Sequence, residues 1–259
     1  MNRCDWRNYW ERQAEQCASD FEFDRGICPR TNEIETSSNR ELVDFIAPKL
    51  SEVVFDAGCG SGVNILLLHS KVKQMIGMDY SEGAVARCER RVLSNNIKNV
   101  ALVRGDVTSP SLPDGSVDKV LCMSVFQYLD DTQVRATLKQ FRRILCDNGV
   151  LIIHVKNISS LYLSTLWLAK KIKSLVRKRT KIEYLRSFRW YVAELTSSGF
   201  EILDYNSFNL LMVESMPTRL LQFFEKLELR YYDRFPLRLA FVRRHGSELK
   251  IKARIIKAS

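Results

Sequence analysis

Paired cysteines are missing from this sequence. Its seven cysteines (Cys4, Cys17, Cys28, Cys59, Cys88, Cys122 and Cys146) are odd in number, scattered and never spaced Cys-x-x-Cys. That argues against a structural zinc site or a disulfide framework and for a reducing compartment, so no metal is expected. Histidine is scarce, with only His69, His154 and His245. No uncharged apolar run approaches the roughly 20 residues needed to span a bilayer. The opening MNRCDWRNYWERQ lacks the apolar core of a secretory signal. Together these absences point to a cytoplasmic chain that meets a membrane, if at all, at its surface. There is no internal repeat and no low-complexity tract.

What is present is an ordinary globular composition, with 46% apolar and 27% charged residues in a chain of 259. That is enough to bury a core without cross-links. Charge is unevenly spread: residues 1–157 hold 20 Lys/Arg against 21 Asp/Glu, and residues 158–259 hold 20 against 9. The whole net charge of +10 therefore sits in the C-terminal part. Either this is a solvated basic surface, or it meets something anionic such as lipid headgroups, nucleic acid or an acidic substrate.

From Val53 to Val155 short apolar runs alternate with helix-length segments, the pattern of βαβ units and a parallel sheet. Strands are expected at Val53–Phe55 (ending at Asp56), Val72–Met78 (ending at Asp79), Asn99–Val103 (ending near Asp106), Lys119–Ser124 and Gly149–Val155. Ser81 is placed to cap a helix through Leu93, and Asp131 or Thr132 to cap one carrying Val134, Leu138, Phe141 and Ile144. Asp147-Asn148-Gly149 reads as the turn ending that helix. Beyond Val155 the order changes. Ile158–Arg179 is amphipathic and basic, Ser187–Ser198 is a capped helix stopped by Gly199, and Phe200–Leu211 is a strand. Leu220–Leu229 is another helix, and Leu249, Ile251, Ala253 and Ile255 alternate like a last strand.

The strongest signal runs Val53-Val54-Phe55-Asp56-Ala57-Gly58-Cys59-Gly60-Ser61-Gly62, a buried strand leading into D-x-G-x-G-x-G and then a helix. Glycines there let the backbone turn tightly and let a ligand approach the main chain, and the N–H groups that follow can hold an anionic group. Asp79, 17 residues after Gly62, ends the next strand, where an acid can accept both hydroxyls of a ribose. Gly105-Asp106-Val107 closes the third strand, where a polar side chain can meet an adenine amine.

On these motifs residues 50–156 resemble a class I S-adenosylmethionine (SAM)-dependent methyltransferase, in the small-molecule branch that includes ubiquinone-pathway enzymes. The family's glycines are spaced G-x-G-x-G, as here, whereas the dinucleotide pattern is G-x-G-x-x-G and position 63 is Val63. Asp118–Ser124 resembles the family's fourth strand, and Phe141–Leu145 with Asn148–Ile153 its next helix and fifth strand. Trp6, Tyr9 and Trp10 resemble the aromatic N-terminal helix that folds over the cofactor. The resemblance covers the first 155 residues well and the rest in outline.

It implies a Rossmann-like, seven-stranded, mostly parallel α/β sheet with helices on both faces and a helical, basic lid in the C-terminal part. The chain would be a single domain: a cap over 1–50, a SAM-binding core over 51–157, and lid helices with the last strands over 158–259. It also implies that Gly58, Cys59, Gly60 and Gly62 surround the methionine part of SAM, with Asp56 orienting the loop or the bound amino group. Asp79 would bind the ribose with Tyr80 beside the adenine. Asp106 would contact the adenine amine, Val107 would pack on the ring, and Met123 would offer a carbonyl to the amino group.

Methyl transfer from a sulfonium needs in-line positioning, and a base when the acceptor must lose a proton. His154, at the carboxyl end of the fifth strand, and Tyr128 are the candidate catalytic residues. For each a packing role is the alternative, whereas His69 (placed on the first helix) and His245 read as structural. Some relatives carry an acid and a histidine after the fourth strand; this chain has Ser124-Val125-Phe126-Gln127-Tyr128, which argues against a metal-assisted mechanism. The motif N-P-P-Y or D-P-P-Y of nucleic-acid N-methyltransferases is absent, which argues against nucleic acid as partner. Lys170, Lys171, Lys173, Arg177, Lys178 and Arg179 suit either a lid or a helix at an anionic membrane, and Arg243, Arg244, Lys250, Lys252, Arg254 and Lys257 add to that charge. The expected function is methyl transfer, foremost O-methylation, to a small-molecule, glycan-like or lipid-linked acceptor. N- or C-methylation of a metabolite, or a non-catalytic methyltransferase-like binding subunit that holds SAM or nothing, are the alternatives.

Overall fold

Val53–Ala57 (β1) is nearly all apolar, and the sheet extends to both sides of it. The computed structural model describes residues 6–20, 23, 32–160, 183–208 and 246–256. Besides β1 they include β2 (Gln74–Asp79), β3 (Val100–Arg104), β4 (Val117–Met123), β5 (Leu145–Lys156), β6 (Phe200–Phe208) and β7 (Glu248–Ile255). The seven strands form one sheet in the order β3-β2-β1-β4-β5-β7-β6. The first four pairings in that order are parallel, and β7 runs antiparallel to both β5 and β6. The chain moves outward from β1 to β3 and then returns to lay β4 on the other side of β1. That reversal opens a crevice at the carboxyl ends of β1 and β4, where open α/β sheets bind ligands.

The helices are α1 (Trp6–Gln16), α2 (Asn32–Ile46), α3 (Val63–Leu68), α4 (Glu82–Ser94), α5 (Asp131–Ile144) and α6 (Phe188–Ser197). Strand alternation sorts the core into two layers. Phe55, Val120, Leu151 and Ile153 pack with Val134, Leu138 and Phe141 of α5 and Tyr191 and Leu195 of α6. Val54, Leu121 and Ile152 pack with Ile46 of α2, Ile65 and Leu68 of α3, and Cys88 and Val92 of α4. Ser81 Oγ accepts the Ala84 N–H at 3.1 Å to start α4, and Ser187 Oγ accepts the Trp190 N–H at 3.2 Å to start α6. Gly199, at φ +82°, ends α6 against the Arg142 guanidinium.

Four expectations are corrected. The cap of α5 is Asp130, in a reciprocal box with Gln133, one residue before Asp131. Asp147-Asn148-Gly149 is no turn: α5 passes straight into β5 at Leu145, which pairs with Val117 while Val150 pairs with Lys119. Residues 146–149 therefore bulge, and a Cβ on Gly149 would press on Cys146 O and Leu145 at 2.8 Å. β2 starts at Gln74 because Val72 caps the short 3₁₀ turn His69–Lys71. His69 sits in that turn, just past the six-residue α3. The basic stretch from Leu161 to Arg179, the helix expected at Leu220–Leu229, and His245 lie outside the described residues.

β7 places its apolar side chains on the α5/α6 layer and its polar ones under α2. Lys250 is buried and stands 3.7 Å from Glu41, and Lys252 Nζ donates to Phe45 O at 2.8 Å. Burial and the nearby Lys119 charge lower the Lys252 pKa. Arg254 pairs with Glu201 at 2.8 Å. These three cations, grouped with the C-terminal basic surface on sequence alone, are engaged within the fold. No helix among the described residues is long and apolar enough to cross a membrane.

Candidate active site

The glycine loop is held down from β2. Gly58 and Cys59 donate their N–H groups to Met78 O at 2.7 and 2.9 Å, and Gly60 donates to Asp79 Oδ2 at 3.0 Å. Gly58, Gly60 and Gly62 all have positive φ, at 82°, 53° and 87°. A Cβ on Gly58 would overlap Val125 Cγ2, and one on Gly62 would overlap Cys88 Sγ. The loop is thus wedged between the segment after β4 and helix α4, and neither position admits a side chain. Arg91 of α4 braces it further, donating to Ser61 O and Oγ at 3.3 and 3.0 Å.

Two acids stand beneath this loop, Asp56 fully buried and Asp79 half-buried. Asp56 is fully buried; its Oδ1 accepts from Asn64 Nδ2 at 3.3 Å, and its Oδ2 has no hydrogen-bond partner among the described residues. Burial pushes its pKa up to about 7, the Asn64 bond opposes this, and the Asp79 charge adds to it. Asp79 spends one oxygen on Gly60 and the other on the Ser81 N–H at 2.9 Å. Burial raises its pKa too, against those backbone bonds. The carboxylate keeps acceptor capacity for a ligand hydroxyl. Cys59 is buried beside Cys88, and that contact together with burial raises its thiol pKa.

The third strand ends on the same crevice. Gly105 donates its N–H to Asp79 O at 2.9 Å. Asp106 Oδ1 accepts from the Thr108 N–H and hydroxyl at 2.9 and 2.7 Å, which fixes the loop carrying the buried Val107. Across the crevice α1 lies over the strand ends. Tyr80 Oη donates to Trp6 O at 2.7 Å, and Tyr128 packs on Trp6 and Trp10 with ring centroids 4.7 and 5.5 Å apart. Glu11 accepts from Gly83 N–H at 3.1 Å, and Arg87 donates to Ala14 O and Asp20, so α1 is docked on α4. The ring of Tyr128 is thus part of an aromatic roof.

His154 lies next to Met123 in the β4–β5 ladder and to Lys250 in the β5–β7 ladder. Its Nδ1 is 3.1 Å from Ser124 Oγ, and its Nε2 is 3.1 Å from Glu248 Oε2. Ser124 was only part of a strand end in the sequence, and Glu248 carried no signal at all, since 94 residues separate it from His154. Arg186 was missed as well. It is buried, donates to Asp131, Phe126 O and Leu129 O at 2.9, 2.8 and 2.7 Å, and lies 4.4 Å over Trp190. That clamps the segment after β4.

The sequence profile of a methyltransferase domain matches residues 54–149. A protein of Encephalitozoon cuniculi bearing the name of a methyltransferase is 30% identical over 171 residues, 60% of this chain and 73% of its own length. A Mycobacterium tuberculosis protein named as a SAM-dependent methyltransferase is 33% identical over 104 residues, 40% of this chain and 35% of its own. Among solved structures, geranyl diphosphate C-methyltransferase of Streptomyces coelicolor, with Mg²⁺, geranyl diphosphate and S-adenosyl-L-homocysteine, superposes with a TM-score of 0.62 at 15% identity. That superposition covers 97% of this chain and 96% of the other, and at such identity it speaks for the fold. The strand order, the wedged glycine loop and these relatives agree: the chain belongs to the class I SAM-dependent methyltransferases.

Proposed function

We propose that this enzyme transfers the methyl group of SAM to a hydroxyl of a small-molecule, glycan-like or lipid-linked acceptor. The observation that carries the cofactor site is the buried Asp56 carboxylate, whose Oδ2 has no partner among the described residues, at the foot of the loop. A buried acid without a partner is costly unless a ligand cation meets it. The ammonium of the cofactor's methionine part is such a cation. Gly58, Cys59, Gly60 and Gly62 would lie along that part, with the Met123 carbonyl facing the same amino group. Asp79 and Tyr80 would hold the ribose and adenine side, and Asp106 and Val107 the adenine. Trp6, Trp10 and Tyr128 would exclude water from above. When bound, SAM supplies an electrophilic methyl on sulfur; the protein's part is to align the acceptor and remove its proton.

His154 would take that second task; its position at the carboxyl end of β5 beside Met123 supports this. Tyr128 would serve as a wall of the cleft. In this reading the whole chain works as one domain: cap over 1–50, cofactor core over 51–157, acceptor side over 158–259. The structurally similar Streptomyces coelicolor enzyme is named for geranyl diphosphate, a small molecule, which supports a small-molecule acceptor here. Because Lys250 and Lys252 are used inside the fold and Arg254 is paired with Glu201, an anionic surface would be met by the charges from Lys170 to Arg179.

The test is incubation with SAM carrying a ¹³C-methyl group and fractions of a cell extract. We expect a labelled methyl whose carbon resonance is that of a methyl ether or ester. A methyl on nitrogen or carbon would overturn the hydroxyl reading, and no labelled product in any fraction would overturn the acceptor class.

A further inference from the structure

We propose that Ser124, His154 and Glu248 form a proton relay in which Ser124 Oγ, rather than the imidazole itself, meets the acceptor. This rests on the hydroxyl-acceptor reading above. The direction of the relay follows from the donors and acceptors. An ionised Glu248 can only accept, so the proton between it and His154 belongs to Nε2 (3.1 Å). Neutral imidazole then has its lone pair on Nδ1, and the Ser124 hydroxyl, 3.1 Å away, donates to it. Glu248 is the positioning residue that selects this tautomer.

The backbone at Ser124 points the same way. Ser124 has φ +59°, one of three non-glycine residues with positive φ among the described residues. A left-handed residue with a Cβ is strained, and glycine would occupy the position with less strain. What serine adds is the hydroxyl. The turn is held by Ser124 N–H donating to His154 O at 2.8 Å, so main chain and side chain both lock the serine to the histidine. The next residue, Val125, is the one against which Gly58 is packed, so Ser124 stands one residue from the cofactor loop. Lys250 lies directly across from His154, and Lys156 pairs with Glu183 at 3.0 Å on the same face.

In the reaction the acceptor O–H passes its proton to Ser124 Oγ while the Ser124 hydroxyl proton moves to His154 Nδ1. The acceptor oxygen forms its new bond to the methyl carbon. The C–S bonding pair stays on sulfur, which leaves as a neutral thioether, and the imidazolium remains beside the Glu248 carboxylate. After product release that proton returns through the hydroxyl to solvent.

The experiment is ¹⁵N NMR of the full chain saturated with S-adenosyl-L-homocysteine, with His154 assigned by its loss in His154→Gln. We expect protonated Nε2 and unprotonated Nδ1 in the wild type. Ser124→Gly should move the Nδ1 resonance alone, and Glu248→Ala should abolish the tautomer preference. A wild-type Nδ1–H would overturn the relay, because that nitrogen then cannot receive a proton. With the labelled-methyl assay, Ser124→Gly and His154→Gln should each lower kcat by about 10²-fold or more, with S-adenosyl-L-homocysteine affinity within about twofold of wild type. Undiminished turnover in Ser124→Gly would overturn the role of the hydroxyl. Absence of methyl transfer in the wild type would strike the hydroxyl-acceptor reading instead, while the tautomer would still decide the relay.

Discussion

The two sides of the central crevice are assembled from very different distances along the chain. The proposed cofactor side comes from consecutive units: the ends of β1, β2 and β3 with the loops that follow them span Asp56 to Val107. The proposed acceptor side draws Ser124 from just after β4, His154 from β5 and Glu248 from β7, the last 94 residues beyond His154. The first side is organised by backbone N–H groups and glycines, the second by side chains across a mixed ladder. A cofactor site can be carried by local sequence, whereas the proposed acceptor site is complete only once the antiparallel β7 has joined the sheet.

The sharpest way to break the cofactor side is Gly62→Val. Its Cβ would overlap Cys88 Sγ at a φ of 87°, so both crowding and the left-handed backbone oppose it. Together they should cost about 3 kcal/mol, lowering Tm by roughly 6–12 °C, and titration should detect no S-adenosyl-L-homocysteine binding. A smaller effect should come from pH. Below about 7 the free protein holds Asp56 protonated, so a ligand ammonium must displace that proton. Affinity should therefore rise with pH up to about 7, by at most about tenfold per unit, with proton uptake by buffer seen in calorimetry. An affinity flat from pH 5 to 8 would remove Asp56 from the ammonium site.

Smaller still is the roof: Tyr128→Ala removes contacts to Trp6 and Trp10, each aromatic pair being worth about 0.5–1.5 kcal/mol. Cofactor affinity should fall about threefold to tenfold by titration, and a loss confined to kcat would instead return Tyr128 to the chemistry. The smallest effect sharpens the contrast itself. Asp56→Asn and His154→Gln should change cofactor binding additively within about 0.5 kcal/mol, as separate sites do. Strong coupling in a double-mutant cycle would mean that the two sides are one network.

The same division decided what could be read in advance. Asp56, the glycines, Asp79 and Asp106 were legible because each lies at the end of its strand or within a few residues of it, and strand ends can be located from short apolar runs. α4 and α6 were legible through their serine caps. The bulge at residues 146–149 was not, because Asp-Asn-Gly suits a turn and a crowded strand alike, and only pairing with Val117 and Lys119 separates them. Lys250 and Lys252 read as surface charge because alternation along β7 marks two faces without saying that α2 covers the polar one. Glu248 was invisible for the same reason that it matters, since its partner is 94 residues away.

The central claim is that Asp56 is kept buried with an unbonded oxygen to meet the cofactor's ammonium, and Asp56→Asn at pH 8 tests it most directly. The substitution keeps the shape and removes a buried charge, so thermal denaturation of the free protein should shift upward, by on the order of a few °C. Calorimetric titration should show S-adenosyl-L-homocysteine binding weakened by about tenfold or more, the worth of one charge-assisted hydrogen bond. A variant more stable yet poorer at binding is the result this account predicts. A variant that binds as tightly as wild type would contradict it.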